Sequence, residues 1–99
     1  MTVGIWRDKT ITALSGSSQT IAAANGSRAG LIVQNTGTAA VGVNLTGGTA
    51  ALGGAGTLTL SPPGSTVGTN MLVFTGEGVP QSAITVIGTA SQPCACLEL

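Results

Sequence analysis

Sixteen glycines are scattered through a chain of 99 residues, and their spread governs what the chain can fold into. A glycine inside a helix costs about 1 kcal/mol relative to alanine, and between these glycines apolar residues do not recur at helical spacing. What remains is a series of short segments rich in Thr, Val, Ile and Leu, each closed by Gly, Pro, Ser or Asn. Such punctuation is that of strands joined by turns.

The segments can be placed one by one. Residues 9–14 (KTITAL) are β-branched and form a first expected strand, with a turn at Ser15–Ser18 and a short segment at Gln19–Ala22. Ala22–Asn25 is the one place where a helical turn is expected, ended by Asn25-Gly26. Residues 30–35 (GLIVQN) are the most apolar run and predict a central strand. Thr36-Gly37-Thr38 reads as a hairpin-like link to residues 40–45, where Val41, Val43 and Leu45 alternate with Gly42, Asn44 and polar neighbours. In residues 57–60 the alternation predicts Leu58 and Leu60 inward, Thr57 and Thr59 outward. Ser61-Pro62-Pro63-Gly64 is a turn, because proline presets φ and glycine accepts positive φ. Residues 71–74 (MLVF) predict another buried strand, and residues 83–88 a strand with Ile84 and Val86 alternating with Thr85. The last segment, about 93–99, carries Cys94 and Cys96 on one face and Ala95, Leu97 and Leu99 on the other.

Seven or eight short strands with turns every 8–12 residues or so indicate a sandwich or barrel, and the absence of alternating strand–helix units argues against an α/β fold. The expected fold is all-β: an antiparallel β-sandwich, with a jelly roll as its candidate form. One domain spans residues 9–99, preceded by an extended N-terminal arm, residues 1–8, which holds the only tryptophan. Trp6 has two readings of equal weight: an anchor for a neighbouring surface, or a side chain folded back over the domain's own core.

Charge narrows the function classes. Six residues carry all of it: Arg7, Asp8, Lys9, Arg28, Glu77 and Glu98. That is 6% of the chain, with zero net charge, where about 25% is ordinary. Freely diffusing proteins use surface charge to resist association, so a surface of Thr, Ser, Asn, Gln, Gly and Ala suits a protein packed into an assembly. The core is thin, since Trp6 and Phe74 are the only aromatics in the chain and much of the apolar content is Ala, and association is expected to add stability. No basic patch exists to neutralise phosphates, so no nucleic-acid partner is expected. No apolar run approaches the roughly 20 residues of a membrane span, and no membrane partner is expected. Residues 1–10 lack a basic stretch followed by an apolar one, so no secretory signal is expected.

Reactive groups are few. There is no His and no Tyr, the three carboxylates are far apart in sequence, and Lys9 is the only lysine available as a base for a serine nucleophile. No catalytic residue and no enzymatic activity are expected. Gly47-Gly48 and Gly53-Gly54 are loops, because no Gly-Lys-Ser/Thr follows to make a phosphate site. Calcium would need several clustered carboxylates, and zinc more ligands than two thiols. No metal or cofactor is expected. Cys94 and Cys96 read as small buried hydrophobes, since a disulfide across a single intervening residue would distort a strand.

The order of segments resembles a family of small bacteriophage virion proteins. The resemblance is carried by TITALSGSSQTIAAANGSRAGLIVQNTGTAAVGVNL (10–45), TLTLSPPGS (57–65) and VPQSAITVIGTASQP (79–93). In that family a Gln-x-Ile/Leu-Ala-Ala-Ala-Asn segment precedes a basic residue and a strand containing Leu-Ile and Gln-Asn. A Pro-Gly turn then leads to an Ile-x-Val-Ile-Gly strand and a Gln-Pro segment. The likeness covers nearly all of the chain after residue 9, in turn and core patterns. The CACLEL ending and the Trp-bearing arm depart from it.

The resemblance implies a β-sandwich module on a phage particle, as a capsid decoration (cement) protein or as a tail, fibre or head–tail component. Of these, the expected role is a decoration protein that binds the major capsid protein and copies of itself as a homotrimer. It would sit on the capsid exterior after synthesis in the host cytoplasm. Trp6, Arg7, Arg28 and Glu77 are the expected interface residues. From a different class, a receptor- or glycan-binding module is the alternative, and the scarcity of aromatics weighs against it. A monomer of this mass has roughly 5,000 Å² of surface, and a standard contact covers about 800 Å² of each partner.

Overall fold

A computed structural model describes residues 5–99 and contains eight strands, with no helix among those residues. They are β1 (Arg7–Asp8), β2 (Gln19–Ala22), β3 (Gly30–Asn35), β4 (Val41–Asn44), β5 (Thr57–Leu60), β6 (Met71–Thr75), β7 (Ile84–Gly88) and β8 (Cys94–Glu98). They form two four-stranded sheets, in the orders β1-β8-β3-β6 and β2-β7-β4-β5, with every pairing antiparallel. The sheets pack face to face as a β-sandwich. Strand 1 pairs with 8, 2 with 7, 3 with 6 and 4 with 5, so the chain is nested like one long hairpin rolled over a core. The accessible surface is 5227 Å².

Alternation within the strands builds the core. Leu31 and Val33 of β3 are fully buried, facing Val41, Val43, Leu60, Ile84 and Val86 of the other sheet. Cys94 and Cys96 lie on this same inner side of β8, paired across from Asn35 and Val33. Ala95, Leu97 and Leu99 take the opposite side, as the sequence pattern predicts.

Several expected elements differ. The first strand is not at residues 9–14: Asp8 Oδ1 accepts the Thr10 N–H at 2.9 Å, and the Thr10 hydroxyl accepts the Cys96 N–H at 3.2 Å. These side-chain oxygens interrupt the ladder, which resumes only as a single bridge between Ile11 and Cys94. The ladder's first residues are instead Arg7 and Asp8, inside the expected arm, so that at least these residues are sheet rather than free extension. Residues 1–4 of that arm lie outside the described residues.

The helical turn at Ala22–Asn25 does not form. Ala22 ends β2, the Ala23 carbonyl is held by Arg28, and the Asn25 N–H donates to Gln81 O at 2.9 Å. Those groups are committed elsewhere and cannot bond within a helix. The link at Thr36–Thr38 is not a hairpin, because β3 and β4 belong to different sheets. Asn35 turns this corner: its Oδ1 accepts the Gly37 N–H, and its Nδ2 donates to Ala39 O and across to Leu60 O. Residues 71–74 are not a buried strand but an edge, with Leu72 and Phe74 half-buried and Met71 and Val73 exposed. Leu58 points inward beside Val43 yet stays 47% exposed, because β5 is also an edge. The Pro62–Gly64 turn forms as expected, with Gly64 at φ +84° and the Ser65 N–H bonded to Pro62 O.

Candidate interaction surface

The two outer faces of the sandwich are unlike, and the difference begins in the sequence. On the β2-β7-β4-β5 sheet the register aligns Thr20, Thr85, Asn44 and Thr57 in one outward row. Three of these side chains hold the chain's own long loop, residues 45–56. Thr85 Oγ1 donates to Gly48 O at 2.7 Å, Asn44 Nδ2 donates to Thr49 O at 3.3 Å, and Thr57 Oγ1 accepts the Ala51 N–H. Gly42 completes the fit, since a Cβ there would come within 3.3 Å of Leu52 and 2.9 Å of Thr57. The polar face of β4 is thereby covered, and Gly42 and Asn44 are buried.

Among the described residues no such loop lies over the β1-β8-β3-β6 sheet. Its central outward row reads Asp8, Leu97, Ile32 and Val73 across the four strands. A second row carries Ala95, Gln34 and Met71. Leu97 is 37% exposed, Met71 42% and Val73 54%. Trp6 lies at one end of this face, above Gly30 and Leu99: a Cβ on Gly30 would stand 2.7 Å from the indole ring. Glycine at that position is what lets the ring lie down on the sheet. An apolar face left open and rimmed by polar groups is the usual mark of a protein contact.

The four expected interface residues fall in different places. Trp6 folds back on its own domain, but on the outer face rather than the core, and remains 39% exposed. Arg7 stands exposed on the β1 edge, its Nη2 3.4 Å from Glu98 Oε1. Glu77 is exposed in the Gly76–Gly78 loop after β6. Arg28 does not reach the surface. Its Nε donates to Glu98 Oε2 at 2.8 Å, Nη1 to Pro80 O and Ser82 O, and Nη2 to Ala23 O. Each of its three nitrogens is bonded inside, tying two loops to β8.

That network sets the electrostatics of the interior. Burial alone would raise the Glu98 carboxyl, but the hydrogen bond and charge of Arg28, with Lys9 and Arg7, outweigh it and hold the group below its ordinary value. Burial pushes the Cys94 thiol up to about 11 and the Cys96 thiol up to about 12, the latter helped by Cys94 and Glu98 nearby. Neither is a thiolate near neutral pH. Three charged groups, Arg7, Lys9 and Asp8, cluster at the β1 edge, and among the described residues no group of His, Cys, Asp and Glu is placed to hold a metal.

The apolar outer face was only partly visible beforehand. The Ala95-Leu97-Leu99 alternation was legible in the last segment. The contribution of Ile32 and Val73 was not, because a short apolar run gives no sign of which strand has an uncovered side. Comparison with protein-family models, curated proteins and solved structures gives no match to this chain.

Proposed function

We propose that this protein is a structural component of a phage virion, a decoration protein that binds the outside of the capsid shell and stabilises it without catalysing a reaction. The observation that carries this reading is the asymmetry of the sandwich: one outer face is polar and closed by its own loop, and the other is apolar, nearly uncharged and open. A module whose job is to lie on a repetitive protein surface needs one such face. Removing Arg28 and Glu98 from the exterior leaves only Arg7, Asp8, Lys9 and Glu77 as surface charges. Weak contacts repeated over many copies then act together. The nested strand order supports the jelly-roll form of the sandwich, and the segment order quoted above supports the virion class. Partners are the major capsid protein and further copies of the chain, with a homotrimer as the arrangement at local threefold positions.

The test is the amount of this protein in purified particles, by quantitative mass spectrometry against the major capsid protein. A fixed ratio of many copies to shell subunits is the expected result. A handful of copies would move the protein to the tail or fibres, and none would overturn the virion reading.

A further inference from the structure

A β-sheet edge exposes backbone donors and acceptors, and proteins close such edges with charge, short strands, bulges or covering loops. Three of the four edges here are closed in these ways. β1 is two residues long and lies within the charged run Arg7-Asp8-Lys9. β2 breaks register between Thr20 and Ala22. β5 is four residues long and its own loops take the N–H groups at both ends, Thr57 to Gly54 O and Ser61 to Thr69 O, which leaves Thr59 alone between them.

The fourth edge is different. β6 pairs with β3 over five residues in unbroken register and contains no charge, no proline and no bulge. Two bonds fix its phase: Asn35 N–H to Asn70 O at 2.8 Å and Gly76 N–H to Ala29 O at 3.4 Å. Antiparallel pairs alternate between bonded and non-bonded positions. Residues 70, 72, 74 and 76 therefore turn their backbone groups to β3, and Met71, Val73 and Thr75 turn theirs outward. The Thr69 hydroxyl donates to Met71 O at 3.1 Å and accepts the Met71 N–H at 3.4 Å, so a partner strand at Met71 displaces this hydroxyl. Among the described residues no turn, loop or side-chain hydrogen bond falls on the backbone groups of Val73 or Thr75.

We propose that β6 pairs antiparallel with β6 of a second copy, about a twofold axis at Val73, to join two sheets into one of eight strands. The outward residues sit symmetrically about Val73, so this register matches each donor to an acceptor once the Thr69 hydroxyl gives up Met71. Val73 faces the partner's Val73, Met71 faces the partner's Thr75, and roughly six backbone hydrogen bonds form, two for each facing pair. Registers centred on Leu72 or Phe74 also bring outward groups together, but each faces only two such pairs within β6, for about four bonds rather than six. Side chains agree with the same axis. Leu72, half-buried, meets the partner's Phe74, an aliphatic–aromatic cross-strand pair. Glu77 falls opposite the partner's Thr69, so the two Glu77 carboxylates lie at opposite ends and no like charges meet. The contact closes on itself and does not propagate.

A five-residue edge is about 17 Å long, less than a standard interface supplies, so the dimer dissociates with a constant between about 1 μM and 1 mM. This contact follows from the fold and holds whether or not the protein rides on a capsid. On a shell it would link neighbouring copies across twofold positions.

The test is sedimentation equilibrium of the full chain over a concentration series, beside Val73→Lys, Val73→Glu and an equimolar mixture of the two. Val73 is 54% exposed on the edge strand and outside the core, so both variants are expected to keep the fold, which β-sheet circular dichroism checks. The wild type is expected to pass from monomer to dimer, each variant alone to stay monomeric, and the mixture to recover the dimer. Amide exchange at Val73 and Thr75 of the wild type should slow as concentration rises, which tests the contact without any substitution. A wild type monomeric throughout, or a dimer undiminished in Val73→Lys, would overturn the proposal.

Discussion

Arg28 and Glu98 meet at 2.8 Å inside the protein, with the Arg28 side chain fully buried and that of Glu98 5% exposed. The guanidinium also bonds the carbonyls of Ala23, Pro80 and Ser82, so one side chain joins the β2–β3 connection and the β6–β7 connection to the last strand. Removing one member of a buried pair strands the other, at a cost of about 3–5 kcal/mol. Arg28→Ala is expected to lose stability of that order, since three carbonyls and a carboxylate lose their donor together. Urea unfolding of the variant beside the wild type measures it.

The same pair gives the fold an acid limit. Glu98 is held below its ordinary value, so its ionised form contributes stability that is fully present above the unfolded-state pKa of about 4.3. That contribution is lost as pH falls through the lower folded-state value. Stability should therefore be level near neutrality with respect to Glu98 and decline in acid. In Glu98→Gln the acid decline should shrink while stability at pH 7 is already reduced. Thermal unfolding followed across the acid range distinguishes the two profiles.

Cys94 and Cys96 are expected to be inert in the folded protein. Both are buried, and thiols raised to about 11 and about 12 offer almost no thiolate at pH 8. A thiol reagent should label neither until the chain unfolds, and the labelling rate should follow global unfolding as denaturant is added. Rapid labelling of either cysteine under native conditions would show that β8 opens locally, away from β3.

The interior pattern was largely legible in the sequence, and the connections were not. Alternation placed Val43, Leu60, Val86, Cys94 and Cys96 inward, because one buried face imposes a period of two. Neighbouring strands in the chain, however, go to different sheets at every link except β4–β5, and the residues that turn those corners act through side chains. Asn35 reads as an ordinary polar residue after an apolar run, yet it is fully buried with its amide donating to Ala39 O and Leu60 O. Arg28 reads as a surface cation, because long charged side chains are rarely buried without a partner, and its partner lies 70 residues away in sequence. The candidate face depends on which strands become edges and which loop folds over which sheet, information carried by pairing and by no single segment.

Asn35 gives a direct check on the corner. Replacement by Ala leaves the Gly37 N–H and the carbonyls of Ala39 and Leu60 without this partner in a buried setting. A buried group left unpaired costs about 1–3 kcal/mol. Asn35→Ala is expected to lose at least one such increment. Asn35→Asp should be worse near neutrality, because a carboxylate would face two carbonyl oxygens, and should recover partly in acid as it protonates. Chemical denaturation at two pH values reads both effects.

Trp6 and Gly30 test whether the open face is assembled as described. The indole ring occupies the space that a Gly30 Cβ would enter at 2.7 Å, with Leu99 Cβ a further 3.1 Å neighbour. Gly30→Ala therefore displaces the ring, whose residue lies just before the short edge strand β1, more easily than it displaces the sheet. Because Trp6 is the only tryptophan, its fluorescence reports this face alone. The variant is expected to show red-shifted emission and greater quenching by acrylamide, with the β-sheet circular dichroism retained. Leu97→Glu supplies the functional counterpart. It places a charge in the middle row between Asp8 and Ile32 without touching the core side of β8. If this face is the one laid against a shell, Leu97→Glu should fold with near wild-type stability and fail to attach to particles stripped of the protein. Undiminished attachment would instead assign binding to another surface.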